Sequence, residues 1–226
     1  MPSDHWGSGS FFKFSTDPLQ GSFLKVIVLV GLPAAGKTTI AEVVGKKLKI
    51  PLIETGALVF KSVEERGLPI TPENIKKVST ELKGKSDSYY TERALDVFRT
   101  EHKDKQVAFF AGMRAISEIK YLKDTLGEDN VIVVGFHASH TTRYKRLANP
   151  DRAAGHGTKG EEDKRLLDHT YFVAREFKEL GFGIGTIFAL ADYIVCNDDL
   201  RFPYSSVKRS EKDFETIVRC FLAGEF

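Results

Sequence analysis

The sequence predicts an α/β fold, a five-stranded parallel sheet flanked by helices and organised around a phosphate-binding loop. Three observations predict it. The run Lys25-Val26-Ile27-Val28-Leu29-Val30 is short, continuous and rich in β-branched residues, as expected of a strand buried on both faces. It leads through a glycine-bounded loop, Gly31 to Thr38, into a stretch of helical periodicity. Apolar runs of the same kind recur at 51–54, 107–110, 131–135 and 193–196, with helical patterns between them, the alternation that builds parallel sheets.

Taken in order, the first helix is expected over 37–48, with Ile40, Val43, Val44 and Leu48 at helical spacing and Pro51 as a stop beyond it. Further helices are expected over 56–66, 72–82, 88–102, 115–125, 139–147, 161–180 and 210–222. The start at 72 is the best signalled, because Thr71 can cap and Pro72 suits the first helical position. Gly181 to Gly185 reads as a tight connection between helices. The first ten residues are rich in Gly and Ser, and Phe11, Phe12 and Phe14 follow without a period, so residues 1–22 read as a leader or expression-derived segment. Residues 23–200 read as the core, and 201–226 as a helical tail carrying Phe214, Ile217, Val218 and Phe221.

Composition narrows the function by exclusion. Among 226 residues, 33 basic and 31 acidic side chains leave a net charge of +2, too balanced for charge-driven binding to nucleic acid or membrane. The two cysteines, Cys196 and Cys220, have no metal-site or redox spacing. The longest apolar run falls far short of the ~20 residues that span a bilayer, so a soluble, cytoplasmic protein is expected.

Gly31-Leu32-Pro33-Ala34-Ala35-Gly36-Lys37-Thr38 matches the P-loop pattern GxxxxGK[ST], which arises by chance in only about one chain of this length in a hundred. The chemistry explains the pattern. Backbone N–H groups must wrap a polyphosphate, and glycine permits turns and approaches that a Cβ would obstruct. The lysine reaches the transferring phosphoryl group, and the threonine hydroxyl coordinates magnesium, with Thr39 as a further contact. ATP with Mg2+ is therefore the expected cofactor set, with GTP left open.

A kinase also needs a basic site for its acceptor and a means of excluding water. Ala111-Gly112-Met113-Arg114 places Arg114 at the carboxyl edge of the sheet, where it could clamp an acceptor phosphate or serve as a surface ion pair. Arg143 and Arg146 lie three apart on one helix face. The glycine-rich segment 148–164 after them carries Arg152, His156 and Lys159, and reads as a basic lid or as a solvated loop. His137 and His140 lack the further ligands of a metal site.

With these residues in hand, the chain from Lys25 to Asn197 resembles the small nucleoside and nucleotide kinases of the adenylate kinase and dephospho-CoA kinase type. More closely, it is similar to an uncharacterised archaeal family described as related to them. The likeness runs through the loop, Glu54-Thr55-Gly56, Ala111 to Arg114, Arg143 to Leu147, Gly181 to Gly185 and Ala189 to Tyr193. It implies a P-loop NTPase fold with a helical acceptor-binding insert around 56–90 and a lid near 148–164.

Two positions depart from the pattern. Relatives carry Gly-Asp after the second strand and an arginine a few residues on, where this chain has Gly56-Ala57 and Phe60. They also carry aspartate before the third-strand glycine, where Ala111 stands. That aspartate helps hold the magnesium hydration shell, so Glu54, at the end of the second strand, is the candidate replacement. Acceptor recognition then falls to Lys61, Arg93 and Arg114, with Phe60, Tyr89 or Tyr90 as a stacking face or as core.

The expected activity is ATP- and magnesium-dependent phosphoryl transfer to a nucleoside, nucleotide or dephospho-CoA-like acceptor. Lys37, Arg114, Arg143, Arg146 and Arg152 are the candidate catalytic residues, and Thr38 and Glu54 the metal ligands. The rival is a nucleotide-binding regulator that has lost efficient transfer. No nucleic-acid or membrane partner is expected, and a homodimer is left open.

Overall fold

The computed structural model describes residues 24–148, 168–198 and 207–225. Five strands form one parallel sheet: β1 (Lys25–Val30), β2 (Leu52–Glu54), β3 (Val107–Ala111), β4 (Val131–His137) and β5 (Tyr193–Cys196), in the order β2-β3-β1-β4-β5. The helices are α1 (Lys37–Leu48), α2 (Thr55–Glu64), α3 (Pro72–Lys83), α4 (Tyr89–Glu101), α5 (Ile116–Leu126), α6 (His140–Leu147), α7 (His169–Gly181), α8 (Ile184–Ala189) and α9 (Val207–Ala223). The predicted leader and the greater part of the predicted lid, including Arg152, His156 and Lys159, lie outside the described residues.

The two-residue period of β1 divides the core. Val26, Val28 and Val30 face one layer with Phe98, Phe110, Met113 and Leu122, while Ile27 and Leu29 face the other with Ile40, Val44, Phe109 and Phe136. Both sets are buried, which is why the run reads as uniformly apolar. On the second face α9 inserts Phe214 between Phe109 and Phe136, each ring centroid 5.2 Å away. Fully burying such a side chain contributes about 1.5–3 kcal/mol. The predicted tail thus closes one layer of the core, clipped to α1 by Lys47–Glu215 at 2.7 Å.

Two expectations change. Val43 is 45% exposed, and Ala41 and Gly45 take the buried face with Ile40 and Val44. Gly181 to Gly185 is also more than a connection, because α8 begins at Ile184. A clue to this extra helix sits in β4: a Cβ at Gly135 would lie 2.6 Å from Ile194 Cδ1 and 2.9 Å from Phe188 Cε2, so glycine permits α8 to seat on the sheet.

Candidate functional site

The phosphate loop is held from three sides. Gly31 has φ of +153°, and a Cβ there would stand 2.4 Å from the Phe136 carbonyl oxygen of the neighbouring strand. Gly36 has φ of +89°, where a Cβ would meet Asn197 Nδ2 at 2.1 Å. Asn197 Nδ2 donates to the Ala35 carbonyl at 2.9 Å. Arg146 donates to the Ala34 carbonyl at 3.2 Å and the Asn197 carbonyl at 2.8 Å. Ala34 itself adopts φ of +64°, an unfavourable conformation for a residue with a Cβ. Helix α1 starts without a side-chain cap or an acidic residue in its first turn, so its amide donors and positive end suit an anion.

At the mouth of the loop Thr38 Oγ1 donates to Glu54 Oε1 at 3.0 Å. Strand register explains the meeting: Glu54 ends β2 directly beside Ala111 of β3, and Leu29 of β1 flanks Ala111 on the other side. A carboxylate is therefore present one strand away from the position where the kinase pattern has its aspartate. Hydroxyl and carboxylate oxygens are hard donors, the set that magnesium favours over nitrogen or sulfur ligands. Among the described residues, no group of three or more His, Cys, Asp or Glu is arranged to hold a metal.

The arginines separate in position and use. Arg114 makes a two-pronged pair with Glu179 of α7, Nε to Oε2 at 2.7 Å and Nη2 to Oε1 at 3.1 Å, and its guanidinium lies over Phe182 at 5.5 Å. The backbone around it is fixed by buried Glu118, whose Oε2 accepts from Arg114 N at 2.7 Å and Ala115 N at 2.9 Å, and whose Oε1 accepts from Thr91 Oγ1 at 3.1 Å. Arg143 is buried, ion-paired with Glu176 and donating through Nε to the Ala138 carbonyl at 2.9 Å. Its partners differ from those of Arg146, which donates to the phosphate loop and to Asn197.

Glu176 also meets His140 Nδ1 at 2.7 Å, and His140 Nε2 lies 3.1 Å from His169 Nε2, so one ring donates and the other accepts. Helix α6 is set by Ser139 and Asp198: Asp198 Oδ2 accepts from Ser139 N at 3.0 Å and Oδ1 accepts from Thr142 Oγ1. Sequence reasoning missed Glu118, Glu176, Glu179, Asn197 and Asp198. A buried acidic residue on a helix leaves no local signature of the partner it will find.

At the edge of the predicted acceptor insert, Arg93 of α4 pairs with Glu65 and donates to Ser62 Oγ at 3.1 Å, while Lys61 lies 3.8 Å from Glu101. The Arg93 guanidinium holds the Glu65 carboxyl below its ordinary range. Tyr90 is core, packed edge-on to Tyr89 with centroids 5.2 Å apart, and burial pushes its phenol up against an opposing contribution from the Ser62 hydroxyl. Phe60 is 43% exposed.

Residues 30–164 match the family described as AAA domain. The chain is 33% identical over 174 residues to a UPF0200 protein of Thermococcus sibiricus, covering 76% of this chain and 86% of the relative. To a UPF0200 protein of Pyrococcus abyssi it is 31% identical over 201 residues, covering 87% and 97%. Among solved structures, TT1252 from Thermus thermophilus superposes with a TM-score of 0.53 at 12% identity, covering 87% of this chain and 97% of that one. The fold is that of the P-loop kinase-like proteins.

Proposed function

Because this chain belongs to the UPF0200 family and has a P-loop kinase-like fold, we propose that it binds ATP with magnesium and transfers the terminal phosphoryl group to a nucleoside, nucleotide or dephospho-CoA-like acceptor. The observation that carries this reading is the 3.0 Å contact of Thr38 with Glu54 at the mouth of a loop already braced by Asn197 and Arg146. Thr38 and Glu54 would hold the magnesium, which supplies charge neutralisation for the phosphates.

The loop from Gly31 to Thr39 offers backbone amides to the polyphosphate, and Lys37 supplies the cation for the transferring group. In the reaction an acceptor oxygen, the hydroxyl of a nucleoside or dephospho-CoA-like molecule or the phosphate oxygen of a nucleotide, forms a bond to the γ-phosphorus as the bond to the leaving ADP oxygen breaks, and a hydroxyl acceptor gives up its proton to solvent. Arg114 binds the acceptor in this reading, held in orientation by Glu179. Arg146 acts by positioning the loop and Arg143 by positioning α7, in place of the direct contacts with the transition state that their sequence spacing suggests. Preorganisation of this kind lowers the barrier because the dipoles need not reorganise as charge moves.

A second reading, a nucleotide-dependent regulator with little transfer activity, draws on the same contact at Arg114. Its fork is closed by Glu179, and Ala111 leaves β3 without a carboxylate. ATP consumption with magnesium across nucleosides, nucleoside monophosphates and dephospho-CoA separates the two, with Lys37→Ala as control. Acceptor-dependent ADP formation that is lost in Lys37→Ala supports the kinase. Tight ATP binding with no acceptor-stimulated turnover supports the regulator.

A further inference from the structure

A cavity of about 160 Å³ opens between the glycine side of the phosphate loop and the α7–α8 corner. Its walls are Leu32 of the loop, Phe136 at the end of β4, and Leu180, Ile184 and Phe188 from the corner. Protein interiors pack at crystal-like density, so a space of this size reflects the residue types around it. Four positions are small: Gly31, Ala35, Ala138 and Gly185. Gly185 is exposed, and a Cβ there would make only an ordinary 3.5 Å contact with Leu180 Cδ2, so neither backbone geometry nor crowding requires glycine.

Of the three polar members of the lining, two are engaged by Glu176 and the third lies against another wall residue. Arg143 and His140 are turned to Glu176, and the His137 ring packs 6.3 Å from that of Phe188. What remains facing the space is mainly hydrocarbon and ring surface. A cavity near 150 Å³ with apolar walls accommodates one benzene-sized molecule. The corner that forms the outer wall also reaches the acceptor side: Gly183 has φ of +98°, and a Cβ on it would stand 3.0 Å from the Arg114 carbonyl oxygen. Glu179, next to Leu180, is the partner of Arg114.

We infer that this cavity recognises the phosphate acceptor by an uncharged, ring-sized apolar group, held between the phosphate loop and α8, with Gly185 keeping the mouth open. The inference rests on the phosphoryl-transfer reading and gives the ring of its acceptor a place in the fold: ring-bearing molecules are taken and compact polyhydroxylated ones are not. Leu180, Ile184 and Phe188 are the specificity-determining residues, since an apolar wall offers nothing to hydroxyl groups that lose water on entering.

The test uses phenol and glycerol as probes, followed through Ile and Leu methyl NMR signals of the full chain. Phenol should shift the Leu180 and Ile184 methyls saturably and glycerol should leave them unmoved. Gly185→Leu, which fills the mouth, should weaken phenol binding at least about tenfold, the scale on which apolar pockets discriminate by size. Gly185→Ala, a change with room for its methyl, should retain binding and guards against a leucine variant that fails to fold. Lys37→Ala should lose ATP binding and keep phenol. Equal phenol binding by wild type and a folded Gly185→Leu, or glycerol binding as well as phenol, overturns the pocket. In parallel, Gly185→Leu should raise KM for a ring-bearing acceptor more than it lowers kcat. If the wild type turns over no acceptor at all, the phosphoryl-transfer reading fails, while the phenol arm still decides whether the cavity is an apolar ligand site.

Discussion

Thr38 and Glu54 are joined by a 3.0 Å hydrogen bond between the start of α1 and the end of β2, and Glu54 stands in register with Ala111 of the adjacent strand. The carboxylate that the kinase pattern carries on β3 has a counterpart one strand over, within reach of the hydroxyl that follows the loop lysine. Moving a negative charge by one strand keeps it at the carboxyl edge of the same parallel sheet, where ligands of such folds gather.

Glu54→Gln keeps the shape and removes the charge. The magnesium concentration required for half-maximal ATP binding should rise by about 10–100-fold, the range typical when a metal's supporting shell is damaged. A magnesium titration of ATP binding reads this directly. An unchanged midpoint would remove Glu54 from the site.

Asn197→Ala deletes the 2.9 Å bond to the Ala35 carbonyl and leaves that oxygen unpaired inside the loop's support. The loss of one such bond corresponds to about 0.5–1.5 kcal/mol, so ATP affinity should fall by several-fold while the fold persists. Isothermal titration with ATP checks it, and wild-type affinity in the variant would show that the loop holds its shape without this contact.

Glu176→Gln tests whether Arg143 is a structural support. Both side chains are nearly buried, at 6% and 10% exposure, and a buried guanidinium without its countercharge costs about 3–5 kcal/mol. Thermal unfolding should show a large loss of stability, and Arg143→Met/Glu176→Leu should recover much of it. If Glu176→Gln unfolds at the wild-type temperature, the pair contributes nothing and Arg143 is released for other work.

Tyr90→Phe addresses the alkaline side. The phenol's folded-state pKa lies above its ordinary value because burial disfavours the anion, so its contribution to stability is complete below the unfolded pKa near 10 and is lost as pH rises through the folded value. The variant should match wild type near pH 7 and lose less stability as pH rises above about 10. Parallel alkaline denaturation curves for the two proteins would contradict this.

Much of the site was legible before folding because its chemistry is local. The eight residues from Gly31 to Thr38 specify the cradle by themselves: glycine tolerates the positive φ at position 36, and the lysine and threonine follow in fixed helical geometry. The central strands β1, β3 and β4 were legible because burial on both faces leaves a continuous apolar run. Helix α8 was not, because six residues among glycines carry too little periodicity, although Gly135 in β4 marks where it lands.

The sequence by itself therefore determined the parallel α/β architecture, the phosphate loop and the positions of the candidate cations along the chain. Only the tertiary structure decided which partners those cations meet. Arg143 and Arg146 are three residues apart on one helix, yet one is turned to Glu176 and the other to the Ala34 carbonyl, because their neighbours come from α7 and from the phosphate loop. Arg114 and Glu179, 65 positions apart, meet for the same reason. Loop and strand propensities act over a few residues and can be read along the chain. The pairing of a charge is set by whichever distant element packs beside it, and that information exists only once the sheet and its helices have closed.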